Sequence, residues 1–257
     1  MSTLEQPTTH ALRLLAPNPG PMTLDGTNTW VLREPGDGPC VVVDPGPLDE
    51  GHLTRVAEHG PVGLIVLTHG HADHAEGAAR LRELTGAPVL ARDPALCIDA
   101  EPLGEGPARP AHGVEWLTVL TPGHSSDSVC LVLPADRALL TGDTVLGRGT
   151  TVVAHPDGRL ADYLDSLQRL RDLAETDVDV VLPGHGPVVD DALAVLTYYL
   201  EHREERLGQV RAALAAGARD AAEVVRTVYA DVDPSLWSAA EMSVRAQLDY
   251  LAAAGGP

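Results

Sequence analysis

Four times in this chain a short apolar run ends on histidine or aspartate: LIVLTHGHADH (64–74), VLTPGH (119–124), ALLTGD (138–143) and VDVVLPGH (178–185). Short runs rich in Val, Leu and Ile and bounded by Gly or Pro are candidates for buried strands. If those strands lie in packed sheets, their carboxyl-side loops can converge at one edge. His69, His71, Asp73, His74, His124, Asp143 and His185 would then meet from distant parts of the sequence, preorganised by strand burial. Imidazole and carboxylate suit Zn²⁺, with Fe or Mn compatible with the same donors, and five histidines plus two aspartates suffice for two metals per chain. Taken singly, each residue has a simpler explanation, such as a histidine in a polar loop or Asp73 capping a helix over 75–84. Four repeats of one strand-to-ligand arrangement favour the metal site. The other histidines, His10, His52, His59, His112, His155 and His202, are read as surface or satisfied polar residues.

Elsewhere short β-branched runs alternate with helical patterns, the signature of an α/β domain. Strands are predicted over 27–32, 40–43, 64–67, 88–90, 114–120, 129–133, 138–141 and 178–182, with a helix over 48–59. Leu160, Tyr163, Leu164, Leu167, Leu170 and Ala174 make one apolar stripe at three- and four-residue steps, predicting a helix that lies on a sheet. A longer stripe from Leu193 to Leu214 predicts a helix stopping at Gly217, and 220–230 and 234–254 read as two short helices. The 257 residues fit one large domain, 1–190, with an appendage, 191–257, whose last ~40 residues are too few to fold alone. With no Phe, the core must be built from Leu, Val and Ala.

The formal net charge of −19 disfavours nucleic acid and anionic membranes as partners. Cys40, Cys97 and Cys130 are odd in number and form no CxxC, so a reducing, cytoplasmic setting fits. No run approaches the ~18 apolar residues of a membrane span.

At these ligand candidates the sequence resembles the metallo-β-lactamase superfamily, whose motif is HxHxDH followed by a single His, an Asp and a final His. The resemblance implies a four-layer αββα sandwich over about residues 12–190. It also implies that His69, His71 and His124 hold one zinc, Asp73, His74 and His185 a second, and Asp143 bridges them with a hydroxide. NPGPMTLDGTNTW (18–30), TGDTVLGRGTTV (141–152), DYLDSLQRL (162–170) and YLEHREERLGQV (199–210) resemble the branch that contains β-lactamase-like protein 2 and fungal polyketide acyl-carrier thioesterases. In that branch the chain ends in a small winged-helix-like segment, which 220–255 resembles with no room for the usual wing strands. From Gly217 onward, Arg219, Arg226 and Arg245 face six acidic residues, the wrong balance for a recognition helix. The segment reads instead as a packing cap or a homodimer surface. No cysteine stands where one class of antibiotic-hydrolysing zinc enzymes uses one, so antibiotic hydrolysis is not the implied activity.

Two metals would activate water and polarise a carbonyl or phosphoryl oxygen, with Asp73 orienting the water and shuttling its proton. Ser125 and Ser126 read as turn residues, because the sequence guarantees them no base. The expected activity is hydrolysis of an ester, thioester or lactone, on a small molecule or an acyl-carrier-bound substrate. Asn28, Thr29, His202 and Arg203, which lie in the branch's motifs, are candidates for substrate binding. Metal-dependent endoribonuclease or phosphodiesterase activity, or a non-catalytic zinc-stabilised scaffold, are the competing readings.

Overall fold

A computed structural model describes residues 4–36, 38–108 and 114–255; His112 lies outside them. Six strands run in sequential order in the first sheet: β1 (Leu4–Glu5), β2 (Ala11–Leu15), β3 (Asn28–Leu32), β4 (Cys40–Val43), β5 (Val62–Val66) and β6 (Val89–Leu90). The second sheet has the order β11-β10-β9-β8-β7, from β7 (Gly106–Ala108), β8 (Trp116–Leu120), β9 (Val129–Leu133), β10 (Ala138–Gly142) and β11 (Val180–Pro183). The helices are α1 (Glu50–Glu58), α2 (Ala72–Ala75), α3 (Ala78–Thr85), α4 (Leu160–Ala174), α5 (Ala192–Ala215), α6 (Ala221–Val228) and α7 (Trp237–Ala253).

Alternation along the strands assigns the layers. Trp30, Leu32, Val41, Val43, Leu64 and Val66 of the first sheet pack against Trp116, Leu131, Leu133, Leu140 and Leu182 of the second. The intervening Val31, Cys40, Val42 and Ile65 point outward onto Leu53 and Val56 of α1 and Ala78 and Leu81 of α3. On the far side, Val119, Cys130, Val132, Leu139 and Val181 pack against α4 to α7. The central strands are therefore covered on both faces, which is why β3, β4, β9 and β10 are buried at every position and why β4 and β9 read as continuous apolar runs. The result is an αββα sandwich.

Strand direction then decides where the loops go. β8 and β10 both pair antiparallel to β9, and β11 pairs parallel to β10, so β8, β10 and β11 deliver their carboxyl ends to one edge. β4 and β5 are parallel, with Val43 opposite Val66, and end together in the same way.

The helix expected over 75–84 is two pieces. Between them the Gly77 N–H donates to Gly46 O at 2.9 Å, and a Cβ at Gly77 would meet Leu53 Cδ2 at 2.8 Å, so the chain breaks there to pass under α1. The 48–59 helix begins at Glu50, because the Asp49 side chain caps it by accepting from the His52 N–H at 2.7 Å. The strand expected over 178–182 begins at Val180, and the edge strands β1 and β7, with β2 beside β1, carry too few buried positions to stand out in the sequence. The last two helices pack on the rest as their length requires: Val224 and Val225 of α6 and Val244 and Leu251 of α7 share the core of α4 and α5.

Gly123, next to His124, has φ of +142°, and a Cβ there would lie 2.3 Å from Tyr163 Cα. That contact is with backbone and cannot be relieved by a rotamer change. Gly123→Ala is expected to cost more than ~2 kcal/mol, lowering the melting temperature by at least ~4 °C, and to weaken metal retention along with it. Thermal melts with and without chelator check this.

Candidate metal centre

The loop after β5 carries His69 and His71, and the short α2 that follows it carries Asp73 and His74; the loops after β8, β10 and β11 carry His124, Asp143 and His185. All seven meet. His71 Nδ1 lies 3.1 Å from His69 Nε2 and 3.0 Å from His124 Nε2. On the other side, His185 Nε2 is 3.2 Å from His74 Nε2 and 3.1 Å from Asp73 Oδ2. Between the two groups stands Asp143, with Oδ1 3.4 Å from both His74 and His185 and Oδ2 3.7 Å from His124 Nε2. Two three-residue groups, His69–His71–His124 and Asp73–His74–His185, each bring their donor atoms within 4.8 Å of one another, and a third combines His69, His74 and Asp143.

The outward ring nitrogens explain why the inward ones are free to coordinate. Carbonyl or carboxylate oxygens hold three of them as donors: Val152 O at 2.7 Å for His124, Gly26 O at 3.1 Å for His185 and Asp44 Oδ2 at 2.8 Å for His74. With Nδ1 carrying the proton, the Nε2 lone pair of each ring points into the cluster. Ligands sharing a tetrahedral ion at ~2.0–2.1 Å lie ~3.4 Å apart, close to the spacings found here. Asp143 Oδ1 is buried with no hydrogen bond, which a cation would satisfy. This donor set fits one or two divalent ions.

The electrostatics divide the cluster. Burial, reinforced by neighbouring imidazoles, holds His69 well below the usual histidine range, and burial also lowers His124. Burial opposes charge on His185 and His74 too, but the Asp143 carboxylate outweighs it, lifting His185 to about 9 and holding His74 well above the usual histidine range. Asp143 is itself held well below the carboxylate range, because His74 and His185 overcome the desolvation that would raise it. Asp73 is lowered against burial by its hydrogen bond with His185. Protons and divalent ions must therefore compete for the Asp73–His74–His185 side.

Asp44 is the residue the sequence reading missed. Its Oδ2 accepts from His74 and, at 2.6 Å, from Thr68 Oγ1, while Oδ1 accepts from the Thr68 N–H at 2.8 Å. It sits at φ of +51°, uncommon for a residue other than glycine, at the end of β4. The signal was present: CVVVD is a fifth apolar run ending on histidine or aspartate. Further out, the Tyr163 hydroxyl donates to Thr144 O at 2.7 Å and the Tyr199 hydroxyl accepts from the Leu146 N–H at 2.8 Å, so α4 and α5 pin the loop that carries Asp143.

The expected substrate-binding residues fall in two places. Asn28 is buried, and its amide donates to Pro183 O and Gly186 O at 2.9 Å, stitching the first sheet to the loop of His185. Thr29 is buried against His52 at 2.9 Å. His202 and Arg203 instead line a cavity beside the cluster. Arg203 is 3% exposed, donates to Thr151 O at 2.6 Å and lies over the Tyr163 ring, with its Nε left without a partner. Ser125 Oγ bonds Asp127 and Ser128 at 2.7 Å, with no imidazole in the arrangement. Asp73 does not cap α2, whose N-cap is His71.

Such a sandwich, with a histidine and aspartate cluster at the carboxyl ends of its strands, defines a metallo-hydrolase. Residues 22–185 match the Metallo-beta-lactamase superfamily model and 221–255 the Beta-lactamase associated winged helix domain; the chain belongs to the metallo-beta-lactamase superfamily. It is 30% identical to a Beta-lactamase-like protein 2 homolog of Drosophila melanogaster, covering 95% of this chain and 88% of the relative. It is 31% identical to an Atrochrysone carboxyl ACP thioesterase of Aspergillus fumigatus, covering 85% and 73%. A beta-lactamase domain protein from Burkholderia ambifaria, 25% identical, superposes with a TM-score of 0.81 over 98% of this chain and 88% of that one.

Two predictions follow from these contacts. Asp44→Asn should weaken divalent-metal binding ~10–100-fold, read by competition with a chromogenic chelator, because the His74 ring loses its orienting carboxylate; unchanged affinity would remove Asp44 from that role. Burial, with the Arg55 guanidinium beside it, pushes the His52 imidazole down to about 4, from ~6.5 for an ordinary histidine. Between those values the unfolded chain binds a proton that the folded one excludes. The contribution of His52 is therefore complete above pH ~6.5 and lost as the pH falls toward ~4. Urea midpoints from pH 7 to pH 4.5 should fall more steeply for the native chain than for His52→Gln.

Proposed function

We propose that the chain is a dinuclear zinc hydrolase of an ester, thioester or lactone, presented as a small molecule or on an acyl carrier. The observation that carries the two-ion reading is Asp143, whose two oxygens face the two donor groups separately. His69, His71 and His124 would hold one ion and Asp73, His74 and His185 the other, with Asp143 shared. Bound there, the pair of ions would supply a water acidic enough to ionise near neutral pH and a Lewis acid for the substrate carbonyl.

The residues of the chain do the rest. Asp73, with its side chain 30% exposed, stands at the open rim, and His185 and His74 keep it ionised despite its burial. It therefore accepts a hydrogen bond from the attacking water and relays the proton toward the leaving group. Asp44 and Gly26 O hold His74 and His185 in orientation, and Val152 O holds His124. The thioesterase name of one relative supports the acyl-thioester class, and the net charge of −19 weighs against RNA.

In this reading residues 1–190 form the catalytic unit and 191–257 a helical segment that closes one side of it. Cys40 and Cys130 are buried free thiols and Cys97 a half-buried one, which supports a reducing, cytoplasmic setting; no helix among the described residues is long and apolar enough to cross a membrane.

Initial rates of the zinc-loaded protein on an acetyl thioester and on a labelled single-stranded RNA, with Asp143→Ala beside it, test the proposal. Thioester turnover that depends on metal and drops at least ~10²-fold in the variant is expected. Cleavage of RNA with the thioester intact would overturn it.

A further inference from the structure

Two cavities of different character open on the cluster. One, of about 700 Å³, lies on the His71 side and is polar, with Arg92, Asp93, Ser125, Ser126, Asp127 and Asp157 in its wall. The other, of about 370 Å³, begins at His124 and Asp143 and runs toward the carboxyl-terminal helices. Met22, Leu24, Val232, Leu236, Ala239 and Ala240 supply the apolar part of its lining, and Thr150, His202 and Ser243 are among its polar side chains. The arginines that border it are committed to the protein. Arg148 pairs with Asp25 at 2.6 Å, and Arg206 bonds Gln209 and Val228 O and lies over Tyr229. Arg203 keeps one unpartnered N–H, where a phosphate or carboxylate would call for several donors.

The wall is held in register with the cluster. Segment 151–153 bonds to His124 through Val152 O, to α5 through Thr151 O and Arg203, and to α7 through the Val153 N–H and Ser243 Oγ at 3.2 Å. The helix that forms the apolar side of the cavity is thus fixed, through three consecutive residues, to a ring of the candidate metal centre.

We propose that this cavity is an acyl subsite. The apolar chain of the substrate lies between α7 and the 21–24 loop with its carbonyl at the His124–Asp143 end, and the polar leaving group occupies the cleft beside His71. The inference rests on the hydrolase reading above and adds to it a substrate class, a thioester or ester of an extended apolar acid, and a role for the carboxyl-terminal segment, as the wall that selects that acid. The volume suits a ligand, and the alanines at 239 and 240 leave the space that a larger side chain would fill.

The test is binding of non-hydrolysable thioether analogues bearing ethyl, butyl, hexyl and octyl chains to the zinc-loaded protein, by calorimetry. In the native chain affinity should rise about fourfold per added methylene until the cavity is full, the equivalent of ~0.8 kcal/mol each. In Ala239→Trp the rise should stop at a shorter chain. Leu236→Ala, a milder change, should reduce the gain per methylene; melting curves establish that each variant is folded. Affinity independent of chain length in the native protein, or a series in folded Ala239→Trp that matches the native one, overturns the proposal. Acetyl-thioester turnover by the same preparation separates the two ideas. Turnover without chain-length dependence removes the subsite alone, whereas chain-length dependence without turnover removes the reaction and leaves the subsite.

Discussion

Face-to-face packing of the two sheets is the constraint on which the rest depends. Trp30, Val43 and Val66 of one sheet bury against Leu131, Leu140 and Leu182 of the other, and this contact fixes the relative position of strand ends that are distant in sequence. Apolar burial along this interface, at ~25 cal/mol per Å², opposes the desolvation that comes with holding a buried imidazole and carboxylate cluster at its edge. Five imidazoles and two carboxylates would not assemble by themselves. They meet because β5, β8, β10 and β11 end where they do.

Around the cluster, the supporting contacts come from the first sheet and from the helices of the far layer. Asp44 closes off β4, Gly26 O and Asn28 reach over from the start of β3, and Tyr163 and Tyr199 come from helices on the far face. Ring orientation is therefore set by backbone carbonyls and one buried carboxylate rather than by the flexible surface. A site built in this way keeps its geometry while the surrounding loops vary, which is how one fold serves many substrates.

The carboxyl-terminal helices illustrate how such variation is delivered. They carry more acidic than basic residues, as the sequence indicates, and so lack the charge of a nucleic-acid surface. Their apolar faces do two things at once: Val224, Val244 and Leu251 extend the core over α4 and α5, and Val232, Leu236 and Ala239 border the cavity at the cluster. A periodic stripe cannot distinguish these uses, because burial against a helix and exposure to a cavity both select small and apolar side chains.

The α/β class, the central strands and the candidate ligands were legible in the sequence because each rests on a local regularity: a continuous apolar run for a strand covered on both faces, and the HxHxDH loop for clustered donors. Asp44 was legible in the same way, as the acid that ends CVVVD, but its part required knowing that β4 lies beside β5. Arg203 stands in an otherwise apolar helical stripe, and only packing shows its guanidinium buried over Tyr163. The break at Gly77, the stitching role of Asn28 and the cavity between α7 and the cluster depend on contacts between residues far apart in sequence. The sequence by itself determined which side chains were available for chemistry and which strands would carry them. Tertiary structure alone decided their partners, since distances across a packed core are set by how sheets and helices stack and not by spacing along the chain.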